Sequence, residues 1–298
     1  TGCQSVDDVL ATTGALPARA AYCYTTGTIT LSTQAHVDNF QSSYGPCDTT
    51  PFGLSITGDI RNLSGLADLK TVRGNLDITD AYRLNNYSGL ANLQAIEGRL
   101  RISQSGWSNA SNTYYQIDMA SLVSIGGDLD VSGTRTDRLT SMQFPVLESL
   151  GGSINFNEVP NLSSILLPVL TSVPGTLRIN AVPIKNVDSF SNITTIGGDL
   201  TIANSSQLRQ LDGFASVTAI GGNALLSNND SMVDLHGLAA LGVITGSLSI
   251  EGNAALRACG GVFTVLNASQ VGGEISIANN NTGCQSVDDV LATTGALP

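Results

Sequence analysis

The chain has 298 residues, 12% of them charged, and a formal net charge of -11, with Lys70 and Lys185 as its lysines. An acidic surface this poor in lysine offers no footprint for phosphate backbones, which excludes nucleic acid as a partner. No apolar run approaches the ~20 residues that cross a bilayer; the longest, around Ile165 to Val173, is interrupted by Pro168, so no membrane span is expected.

In chain order, the phrase Gly-x-(apolar)-x-(apolar) recurs as Gly27 to Leu31, a weaker Gly58-Asp-Ile60, Gly74 to Ile78 and Gly98 to Ile102. It continues at Gly127 to Val131, Gly152 to Phe156, Gly175 to Ile179, Gly198 to Ile202, a weaker Gly222 to Leu226, Gly246 to Ile250 and Gly273 to Ile277. From Gly127 the spacings are 25, 23, 23, 24, 24 and 27 residues. Alternation puts both apolar residues of each phrase on one face of a short strand. A second apolar series precedes each glycine, as in Leu208, Leu211, Phe214, Val217 and Ile220. One such coil cannot hide its own apolar face, but stacked coils can. The pattern predicts an all-β, parallel, leucine-rich β-solenoid of about 24 residues per coil, with about 10–11 coils. At the ~4.8 Å spacing of strands it would be roughly 50 Å long.

Two side-chain columns are expected along it. Asn204, Asn228 and Asn279 share a slot just past the strand, where stacked amides would bond turn backbone. On the outer strand face, Arg61, Asp77, Arg101 and Asp130 would alternate in sign, a surface charge ladder rather than a binding site.

The stretch Cys23…Gly27-Thr-Ile-Thr-Leu-Ser-Thr-Gln-Ala-His-Val-Asp-Asn-Phe40…Cys47…Leu54-Ser-Ile-Thr-Gly-Asp-Ile60 resembles the opening of receptor L-domain-like proteins, closest in look to GPI-anchored fungal cell-wall members. The later Leu-x-x-Leu-x-Gly-Leu/Phe and Ile-Gly-Gly-Asp-Leu-x-Ile phrases extend the resemblance over about residues 23 to 281. It implies a right-handed leucine-rich solenoid with a helical, disulfide-closed N-terminal cap, which agrees with Thr33 as N-cap of a helix over Gln34 to Phe40. It also implies a non-catalytic role in wall integrity or ligand binding. The Ser/Thr-rich tail and GPI signal of the fungal pattern are not in this sequence.

Residues 1–17, TGCQSVDDVLATTGALP, recur letter for letter as residues 282–298. The simplest reading is one unit of a longer array, carrying the start of the next. Cys23 and Cys47 are 24 residues apart, and Cys259 and Cys284 are 25 apart, each close to one coil. Residues one coil apart are stacked neighbours within disulfide reach, so Cys23–Cys47 and Cys259–Cys284 are expected, with Cys3 left for a neighbouring unit. The expected organisation is 1–22, a linker and end segment of a preceding unit; 23–50, the closed cap; 51–281, the solenoid; and 282–298, a C-terminal cap. Disulfides imply an oxidising, extracellular setting.

Nine Asn-x-Ser/Thr sequons fall at Asn62, Asn86, Asn109, Asn161, Asn192, Asn204, Asn229, Asn267 and Asn280. Turn location favours Asn229, Asn280, Asn109 and Asn86 for covalent glycans; Asn204 ranks lower because it shares the amide slot. Catalysis on a solenoid needs clustered outward carboxylates, and Asp59, Asp128, Asp130 and Asp199 point outward. They recur after glycine, where turn geometry accounts for them. His36 and His236 lack partners at metal spacing, so neither a metal nor any other cofactor is expected. The long interval from Gly98 to Gly127 carries Trp107, Tyr114 and Tyr115, a contact patch or a loop folded over its own solenoid. The leading expectation is a non-enzymatic structural extracellular glycoprotein whose copies join end to end in a wall, sheath or filament. The alternative is a ligand-binding ectodomain of the receptor L type, recognising glycan or protein.

Overall fold

The computed structural model describes residues 21–103, 114–133 and 138–292. The chain is a right-handed parallel β-solenoid whose main face is one eleven-stranded sheet. Its strands are β1 (Ile29–Thr33), β2 (Leu54–Asp59), β3 (Leu76–Thr79), β4 (Leu100–Ser103), β5 (Leu129–Ser132) and β6 (Ile154–Asn157). They continue as β7 (Leu177–Asn180), β8 (Leu200–Ala203), β9 (Ala224–Ser227), β10 (Leu248–Glu251) and β11 (Ile275–Ala278). Every neighbouring pair is parallel and in sequence order.

The alternation read from sequence is the cause. The first inward column runs Leu54, Leu76, Leu100, Leu129, Ile154, Leu177 and Leu200; the second runs Ile56, Ile78, Ile102, Val131, Phe156, Ile179 and Ile202, all sealed from solvent. Burying each such side chain contributes about 1.5–3 kcal/mol, and the repeat multiplies this along the stack. β2 corrects the sequence register. Leu54 and Ile56, rather than Ile60, pair with Leu76 and Ile78. Gly58 is the tail of that strand at φ 78. Ser55 therefore stands beside Asp77, and Arg61 lies outside the charge column.

The remaining sides of each coil are shorter. A second face carries two-residue strands from Thr49–Thr50 to Ser149–Leu150, and then from Ser172–Val173 to Val243–Ile244. A third side is built from 3-10 turns such as Ser88–Leu90, Asp212–Phe214 and His236–Leu238. A Cβ on Gly89 would stand 1.6 Å from the Leu63 carbonyl oxygen, so only glycine lets consecutive turns stack this closely. In three successive middle coils the same side is instead a three-stranded sheet of Tyr115–Asp118, Leu139–Gln143 and Ser164–Leu166.

The corner after the main sheet is turned by a left-handed residue at Asp80, Glu158, Ala181, Asn204, Asn228 and Asn279, all at φ of 53 to 57°, and by Gly58, Gly133 and Gly252 at larger φ. Asn and Asp tolerate this conformation best among non-glycine residues. The buried amide ladder sits one residue later than the sequence suggested. Asn229 Oδ1 accepts from Ser205 N at 3.1 Å, Asn253 Oδ1 from Asn229 N at 3.0 Å, and Asn280 Oδ1 from Asn253 N at 3.0 Å. The amide groups of the same residues donate to Ile202, Leu226 and Ile250 carbonyls of the preceding coil. The ladder satisfies backbone groups that the corner takes out of the sheet, inside a core where an unpaired polar group costs about 1–3 kcal/mol.

At the N-terminal end, Thr33 caps α1 (Gln34–Asp38), its hydroxyl accepting from His36 N at 3.3 Å. α2 (Phe40–Tyr44) follows and buries Phe40. Cys23 is bonded to Cys47. At the C-terminal end, α3 (Phe263–Asn267) and α4 (Val287–Ala292) pack together, and Cys259 is bonded to Cys284. Cys3, Trp107 and Asn109 lie outside the described residues.

Candidate functional site

The outer face of the eleven-stranded sheet is part-exposed, and from β5 to β10 its edge before the strands is a hydrogen-bonded ladder. Asp128 Oδ1 accepts from Ser153 N at 2.7 Å and Ser153 Oγ from Thr176 N at 3.0 Å. Thr176 Oγ1 then accepts from Asp199 N, Asp199 Oδ1 from Asn223 N at 2.6 Å, and Asn223 Oδ1 from Ser247 N at 2.9 Å. Small acceptors recur after the glycine because each one secures the turn of the next coil. Asp128 and Asp199 are thus committed to backbone.

Charge gathers on β3 to β5. Asp77 pairs with Arg101 and Arg101 with Asp130 in strand register. Arg99, just before β4, reaches Asp77 at 2.9 Å, and Arg101 lies 3.5 Å from Asp130. The hydrogen bond to Asp77 holds the Arg99 guanidinium above its ordinary pKa against partial burial, with further attraction from Asp77, Asp130 and Asp128. Asp130 also accepts from Asn155 Nδ2 at 2.8 Å. Both arginines keep about two fifths of their side chains in solvent, enough to meet a ligand. Arg99 was missed by the sequence reading because it sits one position before the strand; its pairing is diagonal rather than along the column.

Asp59 is likewise paired, with Arg83 at 3.2 Å. His236 faces Asp234 at 3.1 Å, and His36 Nδ1 accepts from Ser32 N at 3.2 Å. Among the described residues no group of three His, Cys, Asp or Glu is placed to hold a metal ion. No described helix is long and apolar enough to cross a membrane. A separate polar hollow of about 410 Å³ opens on the flank, lined by Gln41, Asp48, Asp68, Lys70, Asn92 and Gln94.

The aromatic insertion is divided. Tyr114 is exposed, whereas Tyr115 is buried and stacks on Tyr87, ring centroids 5.7 Å apart. Tyr115 opens a strand of the three-stranded flank with its side chain inward, so it belongs to the core rather than to a contact patch.

The sequons separate by the same corner geometry. Asn229 and Asn280 are buried with their amides donating inside the ladder, so turn location misranked them. Asn86, Asn192, Asn204 and Asn267 are exposed, and Asn62 and Asn161 are half-buried. Asn204 is the left-handed corner residue itself, pointing outward.

Two disulfides that close the ends of the stack fit an extracellular, oxidising compartment. Neither a curated protein nor a solved structure matches the chain. Residues 171–256, which run from the coil before β7 to the turn after β10, match the family model of the Receptor L domain, a family of non-enzymatic, extracellular ligand-binding domains.

Proposed function

We propose that this chain is an extracellular ligand-binding module of the receptor L type, recognising a glycan or a protein through the outer face of its main sheet. The observation that carries the reading is the Receptor L match over residues 171–256, within a solenoid whose eleven-stranded face is continuous. The Arg99–Arg101 zone is its most directional feature: two partly exposed guanidinium forks held in place by Asp77 and Asp130. Such forks suit carboxylate or sulfate groups on a sugar, or acidic side chains of a protein.

An array of acidic and neutral oligosaccharides, probed with the multimerised chain, tests this directly. Binding that falls about 10- to 150-fold in Arg99→Ala and Arg101→Ala, as expected for one charge-assisted contact of roughly 1.5–3 kcal/mol, supports the site. Binding unchanged in both variants sinks it.

The duplicated segment supports a second reading, a structural glycoprotein of a wall, sheath or filament whose copies associate head to tail. Open head-to-tail contacts propagate into filaments.

A further inference from the structure

The duplicated segment begins where the solenoid stops. β11 ends at Ala278, Asn279 turns the corner, and Asn280 closes the buried ladder. The second copy of TGCQSVDDVLATTGALP starts two residues later, at Thr282, and its described residues 282–292 contain no strand. What is duplicated is the cap alone.

That cap is held by groups of two kinds. Its own members are Cys284, bonded to Cys259; Ser286, whose hydroxyl accepts from Asp289 N at 3.1 Å; Asp289, whose carboxylate accepts from Gln285 N at 2.8 Å; and Val290, buried. The receiving members are Cys259, α3 and Asn280, whose amide donates to the Cys284 carbonyl at 3.0 Å. Every receiving member lies outside the duplicated segment. Every cap member has an identical counterpart in Cys3, Ser5, Asp8 and Val9. The interactions that seat residues 282–292 are therefore available to residues 1–11 of another copy.

We propose that residues 1–17 are a second, exchangeable closing cap, which seats on the C-terminal end of another copy of this unit and is locked there by a Cys3–Cys259 disulfide. The inference rests on the head-to-tail reading and names its joint. The thiolate of Cys3 attacks the Cys259 sulfur, the Cys3–Cys259 bond forms as Cys259–Cys284 breaks, and Cys284 leaves as a thiolate that takes a proton. One thiol is consumed and one released, so no oxidant is needed. Because the caps are identical, exchange is close to thermoneutral, and the outcome follows effective concentration. A chain with its own tethered cap intact keeps it at low concentration; disabling that cap hands the end to a second copy.

The test uses the full-length chain carrying Cys284→Ser. Because Cys259 is a free thiol in this variant, the chain is held in a glutathione redox buffer whose disulfide is the oxidant, and non-reducing electrophoresis is expected to show disulfide-linked multimers that vanish in Cys3→Ser/Cys284→Ser. Arg257 is the last basic residue, so trypsin leaves Cys259 and Cys284 together in peptide 258–298 and Cys3 in peptide 1–19. The joint then appears as a new linked pair, 1–19 with 258–298. The 20 residues from Cys3 to Cys23 extend to about 70 Å, against roughly 50 Å of solenoid, so a within-chain link is sterically allowed. Mixing 14N and 15N chains separates the two, because only a joint between copies gives pairs of hybrid mass. Absence of hybrid pairs, or a Cys259 left as a free thiol, overturns the proposal. Should Cys284→Ser fail to fold, wild-type 14N and 15N chains equilibrated at high concentration in a glutathione buffer give the same readout with the same two outcomes. Light scattering distinguishes the levels. Oligomers of Cys284→Ser without hybrid linked pairs keep head-to-tail association but remove this joint, and monomers throughout remove both.

Discussion

Replacing Asn253 by alanine should produce one of the larger losses of stability available to a single substitution in this chain. Asn253 is fully buried. Its Oδ1 accepts from the Asn229 backbone N–H at 3.0 Å, and its amide donates to the Leu226 carbonyl at 2.9 Å. It also bonds to the Asn229 and Asn280 amides, but those keep partners in Ile202 and the Asn253 backbone. Truncation therefore orphans the Asn229 N–H and leaves the Leu226 carbonyl to its strand pairing alone. At about 1–3 kcal/mol for a buried unsatisfied group the cost is about 1–3 kcal/mol, the lower half applying if water enters the space left. Coils in a solenoid open semi-independently, so the local readout is amide hydrogen exchange rather than a global melt. A loss of about 3 kcal/mol corresponds to roughly a hundredfold faster exchange in β9 and β10. Asn228→Gly is the matched control, since Asn228 is exposed, its amide reaches Asn204 only at 3.4 Å, and glycine accepts its left-handed φ of 54 without the strain of alanine. Equal acceleration in the two variants would refute the assignment of the ladder to Asn229, Asn253 and Asn280.

Ala181 occupies the left-handed corner at φ 54, where a Cβ costs about 1–2 kcal/mol, partly offset by the unfolded-state entropy of glycine; Ala181→Gly should raise the melting temperature, and a fall would contradict the strain. Gly213→Ala would put a Cβ 1.7 Å from the Val187 carbonyl oxygen, so a loss of about 1–3 kcal/mol in urea titration is expected from the forced backbone shift. Ser189 holds the same column above the strand Ser164–Leu166 instead of a 3-10 turn, and Ser189→Ala, which removes only its bond to the Ile165 carbonyl, should cost less than Gly213→Ala. Peptide mapping after expression in a eukaryotic secretory host should place any glycans on the exposed Asn86, Asn192, Asn204 and Asn267, with Asn229 and Asn280 bare. A glycan on Asn229 of folded material would contradict the buried ladder.

The candidate recognition zone was only half legible in sequence. Asp77, Arg101 and Asp130 fall in one column because strand residues two apart share a face, a period any sequence displays. Arg99 pairs diagonally across coils with Asp77, and a diagonal depends on stagger and side-chain reach rather than on period. Tyr115 was misassigned for a related reason. An aromatic in a long interval reads as an exposed loop until the interval is seen to contain a strand that turns the ring onto Tyr87.

What the sequence determined by itself was everything carried by repetition: the coil length, the two inward aliphatic columns, the parallel stack, and cysteines one coil apart. Repetition signals these because each coil meets the same neighbour in the same way, so one local pattern reports one packing environment many times over. The tertiary structure alone decided what turns on a single residue of offset. Whether Leu54 or Ile60 stands in the strand column beside Leu76, and whether Asn228 or Asn229 is buried, follows from the register of one coil on the next and from a left-handed φ at the corner. Adjacent asparagines are chemically equivalent in sequence; the corner sends one side chain into water and the next into the core.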